Sequence, residues 1–420
     1  MKIAIVGGGI VGLTTALSLH KVGFRPSVFE AVPSPAPLGV GINLLPHATR
    51  ELAELGLLDG ILKFGVPINE LIYRVADGRE LWREPRGLAA GYDWPQVAVH
   101  RGRLQMFLVE QVKAALGPDA IRFGHALEKF ETRADGVRLE FIDRRTRSPV
   151  ASVDADVAIG ADGIHSVVRR RFYPNEGIPL WNGISLFRGT TILPPNSAAP
   201  AMNWGGHSRL KFVGYPIAVD PSMKEILFNW ICDFPTGRPG DRPREDWNRE
   251  VNPAEWIDRY RGWNWPGLDV EDVIRRSTAV YEFPMVDRDP LPRWTFDRVT
   301  LAGDAAHAMY PIGSNGATQG IIDARSLAYH LATVASPETA LQRYEVDRRE
   351  ATSRIVLTNR AHGPDQVLEI AHQRLANGAA DLDVAVPLQE RRQIADDYKL
   401  IAGFNPETLR RRQSYTPPGG

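Results

Sequence analysis

Cysteine is almost missing from this chain: Cys232 stands alone among 420 residues. One thiol excludes an internal disulfide framework and a cysteine-built zinc site, and it fits a reducing compartment. An excess of charge is missing too, with 50 Lys and Arg against 50 Asp and Glu. That balance removes the basic footprint a nucleic-acid partner requires. No apolar run approaches the ~20 residues of a membrane-spanning helix. The opening MKIAIVGGG starts like a signal peptide, but glycines break it at once and no small-residue cleavage site follows, so it reads as a first strand. No internal repeat is visible. The length argues for two or three domains, and 43% hydrophobic with 24% charged residues is a globular balance. The expectation is a cytoplasmic, metal-free enzyme, monomeric or homodimeric, with no nucleic-acid or membrane partner.

The first thirty residues carry the strongest signal that is present. Lys2 to Val6 is a short apolar run of the kind buried in a parallel sheet. Gly7, Gly9 and Gly12 follow in G-x-G-x-x-G spacing, then a helical segment from Leu13 to Lys21, then a strand from Pro26 to Phe29 ending at Glu30. In such a unit Gly7 makes the tight turn, Gly9 admits a pyrophosphate and Gly12 lets helix and strand close together. Ile10 and Val11 open the helix whose N-terminus faces the phosphates. Glu30, with Ala31 beside it, stands where a carboxylate accepts ribose hydroxyls and repels a 2′-phosphate, which favours FAD or NAD over NADP in this site.

Further along, Gly39 to Asn43 lies in a loop that also holds Pro33, Pro35 and Pro37, long for a plain connection. Leu52 to Leu62 reads as a helix, and His100 to Leu104 opens another. Leu71 to Pro95 alternates like antiparallel strands. Asp156 to Ile159 and Arg298 to Leu301 read as two more buried strands, ending in Gly160-Ala161-Asp162-Gly163 and Gly303-Asp304. From Ile178 to Arg293 most of the tryptophans gather with prolines and period-two runs such as Ile226 to Ile231, the texture of an antiparallel sheet. Ser326 to Thr358 is mostly helical. The Arg- and Pro-rich tail from Phe404 is expected to be poorly ordered or laid on the surface.

Three motifs in fixed order resemble the FAD-dependent aromatic hydroxylases of the para-hydroxybenzoate hydroxylase type. They are the fingerprint ending at Glu30, the segment Gly160 to Arg169 with its Asp162-Gly163, and the segment Arg298 to His307 with its Gly303-Asp304. Arg103 matches an arginine that opens a helix in that family. The segments Pro37 to Asn43, Glu84-Pro85-Arg86-Gly87, Tyr281 to Pro292 and Met309-Tyr310-Pro311 resemble its phenazine monooxygenases, the subgroup that converts 5-methylphenazine-1-carboxylate to pyocyanin. After His307 the wider family's Gly-Gln-Gly and Asn give way to Ser314-Asn315-Gly316 and Thr318.

The resemblance implies an α/β fold: a Rossmann-like FAD-binding domain, an inserted antiparallel β-sheet substrate domain and a helical C-terminal region. The segments expected are 1–72, 98–177 and 281–360 for FAD, 73–97 and 178–280 for substrate, 361–403 for C-terminal helices and 404–420 for the tail. Asp304 is expected on the ribityl chain, and the helix opening at Gly316 and Ala317 points its dipole at the flavin, with Pro311, Gly313 and Asn315 close by. Gly41, Ile42 and Leu127 join the expected cofactor set. Asp162 and Arg169 are assigned to the pyrophosphate and to transient nicotinamide binding, with a structural ion pair as the plainer reading. Tyr215, His47 and Pro311 are candidates for catalysis, and Arg188, Trp204, Tyr215 and Trp230 for substrate contact, Arg188 through a carboxylate.

The implied chemistry is reduction of FAD by NADH or NADPH, addition of O2 at flavin C4a, and transfer of a hydroxyl from the hydroperoxide to a small aromatic or heteroaromatic ring. An FAD-dependent reductase or dehydrogenase that does not activate oxygen is the alternative, and an FAD-binding interaction module a further one. The absence of a second nucleotide-binding unit speaks for the hydroxylase.

Overall fold

Ile3–Val6 is buried at all four positions and has no polar face to turn to water, so it lies inside a sheet with neighbours on both sides. In the computed structural model, which describes residues 1–34, 40–194, 200–220, 225–241 and 249–417, that sheet has five strands. Their order is Val299–Leu301, Val157–Gly160, Ile3–Val6, Ser27–Glu30 and Ile121–Phe123, all parallel. The register pairs Val6 with Gly160 and Gly160 with Leu301. Gly7, Asp162 and Gly303, spread over three hundred residues, therefore leave one sheet edge side by side. Helices Ile10–Lys21, Arg101–Leu116 and Gly316–Thr333 share a core with these strands, and the antiparallel meander Ala126–Arg133, Gly136–Ile142 and Pro149–Ala155 adds Leu139 and Phe141 to it.

The second body is a seven-stranded sheet in the order Val280–Asp287, Leu180–Leu193, Glu225–Pro235, Leu210–Asp220, Ala201–His207, Glu70–Arg74 and Glu80–Pro85. Only the pairing of 201–207 with 70–74 is parallel. The boundaries expected after 72 and 280 fall inside two of these strands. Both strands obey the hydrogen-bond ladder of this sheet, which the local sequence does not show. A smaller sheet of Gly41–Leu44, Gln96–His100 and Val66–Ile68 joins the two bodies. The helix expected over Leu52 to Leu62 is two: Pro46–Glu54 starts early because proline suits its first turn, and Leu58–Leu62 follows a break at Gly56. Pro35, Pro37, Leu38 and Gly39 of the expected loop lie outside the described residues. Among the described residues no helix is long and apolar enough to cross a membrane.

The C-terminal region is bound to both bodies by buried charge. Lys211 of the large sheet pairs with Asp233 at 2.9 Å and with Asp365 at 2.6 Å, the latter just before helix Gln366–Ala376. The tail departs from expectation. Phe404 and Leu409 are buried, and Arg412 pairs with Glu51, a fully buried carboxylate that also faces Arg325 at 3.3 Å. Ser414 and Thr416 donate to Glu54, and Tyr415 to Asp347. Tail arginine and hydroxyl groups find acceptors on helices 46–54 and 337–360, namely buried Glu51, half-buried Glu54 and exposed Asp347, so the tail is anchored to the fold.

Burial holds the Glu51 carboxyl above its ordinary pKa, with Arg412 the largest opposing influence. Arg412→Ala is expected to lower unfolding free energy by roughly 1–3 kcal/mol at neutral pH. The raised pKa means that Glu51 gains a proton in the folded state first as pH falls, so the penalty shrinks toward acid. Urea unfolding of both proteins between pH 7 and pH 5 checks this; an equal penalty across that range removes Glu51 as its cause.

Candidate functional site

At the sheet edge, Gly12 approaches Gly7 so closely that a Cβ on Gly12 would overlap the Gly7 carbonyl oxygen, and a Cβ on Gly7 would overlap that of Ala161. The turn is therefore packed against the Asp162 segment as well as against its own helix. Gly9 and Gly163 instead face open space, where a Cβ would meet nothing within 4 Å. Half-buried Glu30 accepts from the amide of Gly8 at 2.6 Å and of Val32 at 2.8 Å, which fixes its carboxylate over the turn. Gln105, two residues past exposed Arg103 on helix 101–116, donates to the Gly8 carbonyl at 2.9 Å. Ile10 is buried, and Ala31 follows Glu30 at the rim.

The opposite wall begins at Gly303, whose φ of +61° and ψ of −141° suit glycine alone. A Cβ there would lie 2.7 Å from Val11, and one on Gly320 would also overlap Val11, so the helix starts at Ile10 and Gly316 are drawn together. Asp304 is exposed, and its Oδ1 lies 4.0 Å from where a Gly316 Cβ would stand. Behind the wall, fully buried Asp323 accepts from the Gly303 amide at 3.0 Å, His307 Nε2 at 2.5 Å and Arg348 Nε at 2.9 Å. Burial acts to raise the pKa of Asp323, but His307, Arg348 and the Gly303 amide together hold it below the ordinary carboxylate value. Gln319 continues the network, accepting from Arg348 at 2.6 Å and donating to Asn315 Oδ1 at 3.1 Å. Asn315 donates to the Gly313 carbonyl and to Tyr398, whose ring covers Gly313.

The third wall is the large sheet, fastened to strand 41–44 at Gly41. Gly41 donates to Asn229 Oδ1 at 2.6 Å, and its carbonyl accepts from Arg188 at 2.7 Å and from Tyr215 at 3.0 Å. A Cβ on Gly41 would come within 2.5 Å of Ile217 and 2.8 Å of Asn229. Arg188 and Tyr215 are thus occupied in holding a strand. Burial, opposed by Arg188, raises the pKa of the Tyr215 hydroxyl, so it stays protonated at neutral pH. Ile42 next to this clamp is half-buried.

The remaining candidates divide. Pro311 is exposed at the end of the Asp304 segment, followed by buried Gly313 and Asn315 and half-buried Gly316 and Ala317. Trp204 and Trp230 lie on opposite faces of the large sheet. Trp204 packs with Tyr73 and Met202 on the face toward the C-terminal helices, whereas Trp230 lies among Phe212, Phe228 and Trp256 and donates to Ser277 at 2.7 Å. The structure therefore does not bring Trp230 to the cleft, a difference decided by strand register. His47 is 1% exposed, stacks on Phe404 at 5.2 Å, and is held below its ordinary pKa by burial first and then by Arg412 and Arg348. Leu127 sits in the main apolar core. Asp162 caps helix Val167–Phe172 through Ser166 at 2.5 Å and the Val167 amide at 2.7 Å. Arg169, 1% exposed, pairs with Glu176 and donates to the carbonyls of Ala305 and Ala306, so it braces the Asp304 segment from behind. Asn229, Gln105, Gln319, Asp323 and Arg348 were missed, because nothing local marks a buried polar side chain whose partner is hundreds of residues away.

The cleft suits FAD. It offers open space above Gly9 and Gly163, with the Glu30 carboxylate beside Gly8 and the Asp304 carboxylate beside Gly316. A family model described as an FAD binding domain matches residues 1–359. The chain is 42% identical over 361 residues to a phenazine 1,6-dicarboxylic acid hydroxylase, PhzS, of Lysobacter antibioticus, covering 85% of this chain and 89% of that protein. It is 33% identical over 412 residues to a 3-amino-4-hydroxybenzoate 2-monooxygenase, PtnB3, of Streptomyces platensis, covering 96% of each. Among solved structures, HpxO of Klebsiella pneumoniae, complexed with FAD and uric acid, has a similar fold, with a TM-score of 0.75 at 22% identity over 100% of this chain and 98% of that one.

Two substitutions separate cleft from frame. Asp304→Ala, at an exposed position, is expected to change stability by less than about 0.5 kcal/mol while loosening FAD. Asp323→Ala is expected to lower stability by about 3–5 kcal/mol at neutral pH, because His307, Arg348 and the Gly303 amide lose their buried acceptor. The depressed pKa of Asp323 means that its contribution is complete above the unfolded carboxylate value and fades as pH falls through the folded one. Urea titration and flavin content after gel filtration measure both; FAD retention unchanged in Asp304→Ala removes that residue from the cofactor site.

Proposed function

The chain belongs to the FAD-binding-domain family and is an FAD-dependent aromatic monooxygenase, and on that footing we propose that it hydroxylates a carboxylated, phenazine-like heteroaromatic with NAD(P)H and O2 as co-substrates. The observation that carries the substrate class is the 42% identity, across most of both chains, to a phenazine 1,6-dicarboxylic acid hydroxylase. Bound FAD supplies hydride acceptance from NAD(P)H and activation of O2 for oxygen transfer to the ring.

The chain's own groups bind and orient. Glu30 accepts ribose hydroxyls, and the amides of Gly7 to Gly12 with the N-terminus of helix 10–21 hold the pyrophosphate. Asp304 accepts from the ribityl chain, while the N-terminus of helix 316–333 places partial positive charge where the flavin ring becomes electron-rich. Arg103 and Gly163 complete the rim. The apolar group of Leu186, Met285, Tyr310 and Ile312 makes a wall that excludes water. Tyr215 and Arg188 are positioning residues: through Gly41 they hold strand 41–44 against the substrate-side sheet. No acid–base side chain is needed for a ring that is already electron-rich.

Purified protein is expected to be yellow and to oxidise NADH or NADPH faster when a suitable carboxylated heteroaromatic is added. With labelled O2, one labelled oxygen is expected in the product by mass spectrometry. Label found only in peroxide or water sinks the monooxygenase reading in favour of a reductase.

A further inference from the structure

The turn that leads into helix 316–333 has a backbone that must be held from outside. Gly313 has φ +71° and ψ +10°, and Ser314 follows at φ +59°. Two left-handed residues therefore stand in a row, and the second carries a Cβ that disfavours this conformation. Such a backbone persists only where its surroundings fix it.

The fixing groups come from two other helices. The Tyr398 hydroxyl, on helix Leu388–Ala402, accepts from Asn315 Nδ2 at 2.9 Å and donates to Asn359 Oδ1 at 3.0 Å. Asn359, near the end of helix Pro337–Arg360, donates through Nδ2 to the Tyr310 carbonyl at 3.2 Å. Asn315 Nδ2 also donates to the Gly313 carbonyl, at 3.1 Å. One phenol thus ties together both ends of the segment from Tyr310 to Asn315. A Cβ on Gly313 would overlap the Tyr398 oxygen, so the hydroxyl sits directly on the turn. Gly363, at φ +49°, lets the pieces close up, since a Cβ there would stand 3.0 Å from Ile312 and 3.1 Å from Asn359 Oδ1. Tyr398, Asn359 and Asn315 are all buried, which leaves the clamp shielded from competing water. Burial also raises the pKa of Tyr398, so at neutral pH it keeps the proton it donates. Gly313 and Ser314 also line a cavity of about 10 Å³, where Arg86 Nε, Gln96 Oε1 and Trp204 Nε1 bond to no protein group and so give the turn no support.

We propose that Tyr398 is a positioning residue for the flavin: through Asn315 and Asn359 it fixes the amides from Ser314 to Gly316, at the start of helix 316–333, in the orientation that stabilises negative charge on the reduced ring. Dipoles held in place before the charge arrives need no reorganisation when it does. Without the hydroxyl, Ser314 relaxes out of the left-handed region and the amides turn away, which weakens the reduced form more than the oxidised one. The clamp rests on the placement of this segment against the flavin given above.

The test reads the midpoint potential of FAD bound to the full chain, by anaerobic equilibration with reference dyes and without substrate. Tyr398→Phe keeps the ring and removes the hydroxyl. It is expected to weaken the preference for two-electron-reduced over oxidised FAD about tenfold, a fall of about 30 mV. Tyr92→Phe is the control: it deletes another buried hydroxyl, bonded to the Phe404 carbonyl at 2.6 Å, without touching the turn, and is expected to leave the potential unchanged. Asn359→Ala is expected to lower the potential in the same direction, and it serves if Tyr398→Phe does not fold. An unshifted potential in Tyr398→Phe, or an equal shift in Tyr92→Phe, overturns the clamp. Unchanged FAD retention in Asp304→Ala removes the whole segment from the flavin and the clamp with it. Loosened FAD in Asp304→Ala beside an unshifted potential in Tyr398→Phe overturns the clamp alone. A shifted potential in a protein that puts labelled oxygen into no product supports the clamp and sinks the monooxygenase reading.

Discussion

Asp323 has no exposed surface and accepts three hydrogen bonds, from the Gly303 amide, His307 and Arg348. A buried carboxylate is tolerated only when its lone pairs are met and its charge is opposed. Meeting them here dictates where the chain after strand 299–301 must go. Gly303 is held in a backbone conformation suited to glycine, so Asp304 turns outward into the cleft. Arg348 extends the constraint to Gln319, and Gln319 to Asn315 and the turn over Gly313. The wall proposed to face the flavin is thus set by charge behind it and carries its own carboxylate in front.

The second constraint is the grip on Gly41. The amide of one residue donates to Asn229 and its carbonyl accepts from Arg188 and Tyr215, on three strands of the large sheet. This fastens the substrate-side sheet to the cofactor-side body at the point where the two must agree in position. The space between them is then closed from a third side by the C-terminal region, through Tyr398 over Gly313 and Phe404 against His47. Lys211 between Asp233 and Asp365 anchors that region to the same sheet. A reaction that transfers oxygen to a ring needs such an enclosure, since water competes for every reactive species in it.

Local sequence was a good guide wherever a function depends on neighbours in the chain. The strand, glycine turn, helix and Glu30 were legible within thirty residues, and so were the strands that end at Gly160 and Leu301. Its errors share one origin. Trp230 and Trp204 look alike as tryptophans in alternating strands, yet pleat and register turn one to the outer core and the other to the cavity. The arginine-rich tail looked solvated, yet Arg412 reaches the buried Glu51 from 361 residues away. Arg188 looked free for a substrate, yet the carbonyl of Gly41 takes its donor. In each case a polar or aromatic side chain was judged without its partner, and the partner was remote.

By itself the glycine turn determined that a dinucleotide, FAD or NAD, binds here, because pyrophosphate binding is a backbone property of a short glycine turn joined to a helix. The sequence also determined the order of the three motifs and the change from parallel to antiparallel texture. Only the tertiary structure decided which side chains are spent on holding the frame and which remain unpaired at a cavity. Hydrogen-bond satisfaction is a sum over all groups within about 3 Å in space, and chain order does not contain it. Arg86 illustrates the difference: in sequence it is one of many arginines, and in space its unpaired nitrogen lines a cavity beside Gly313 and Ser314.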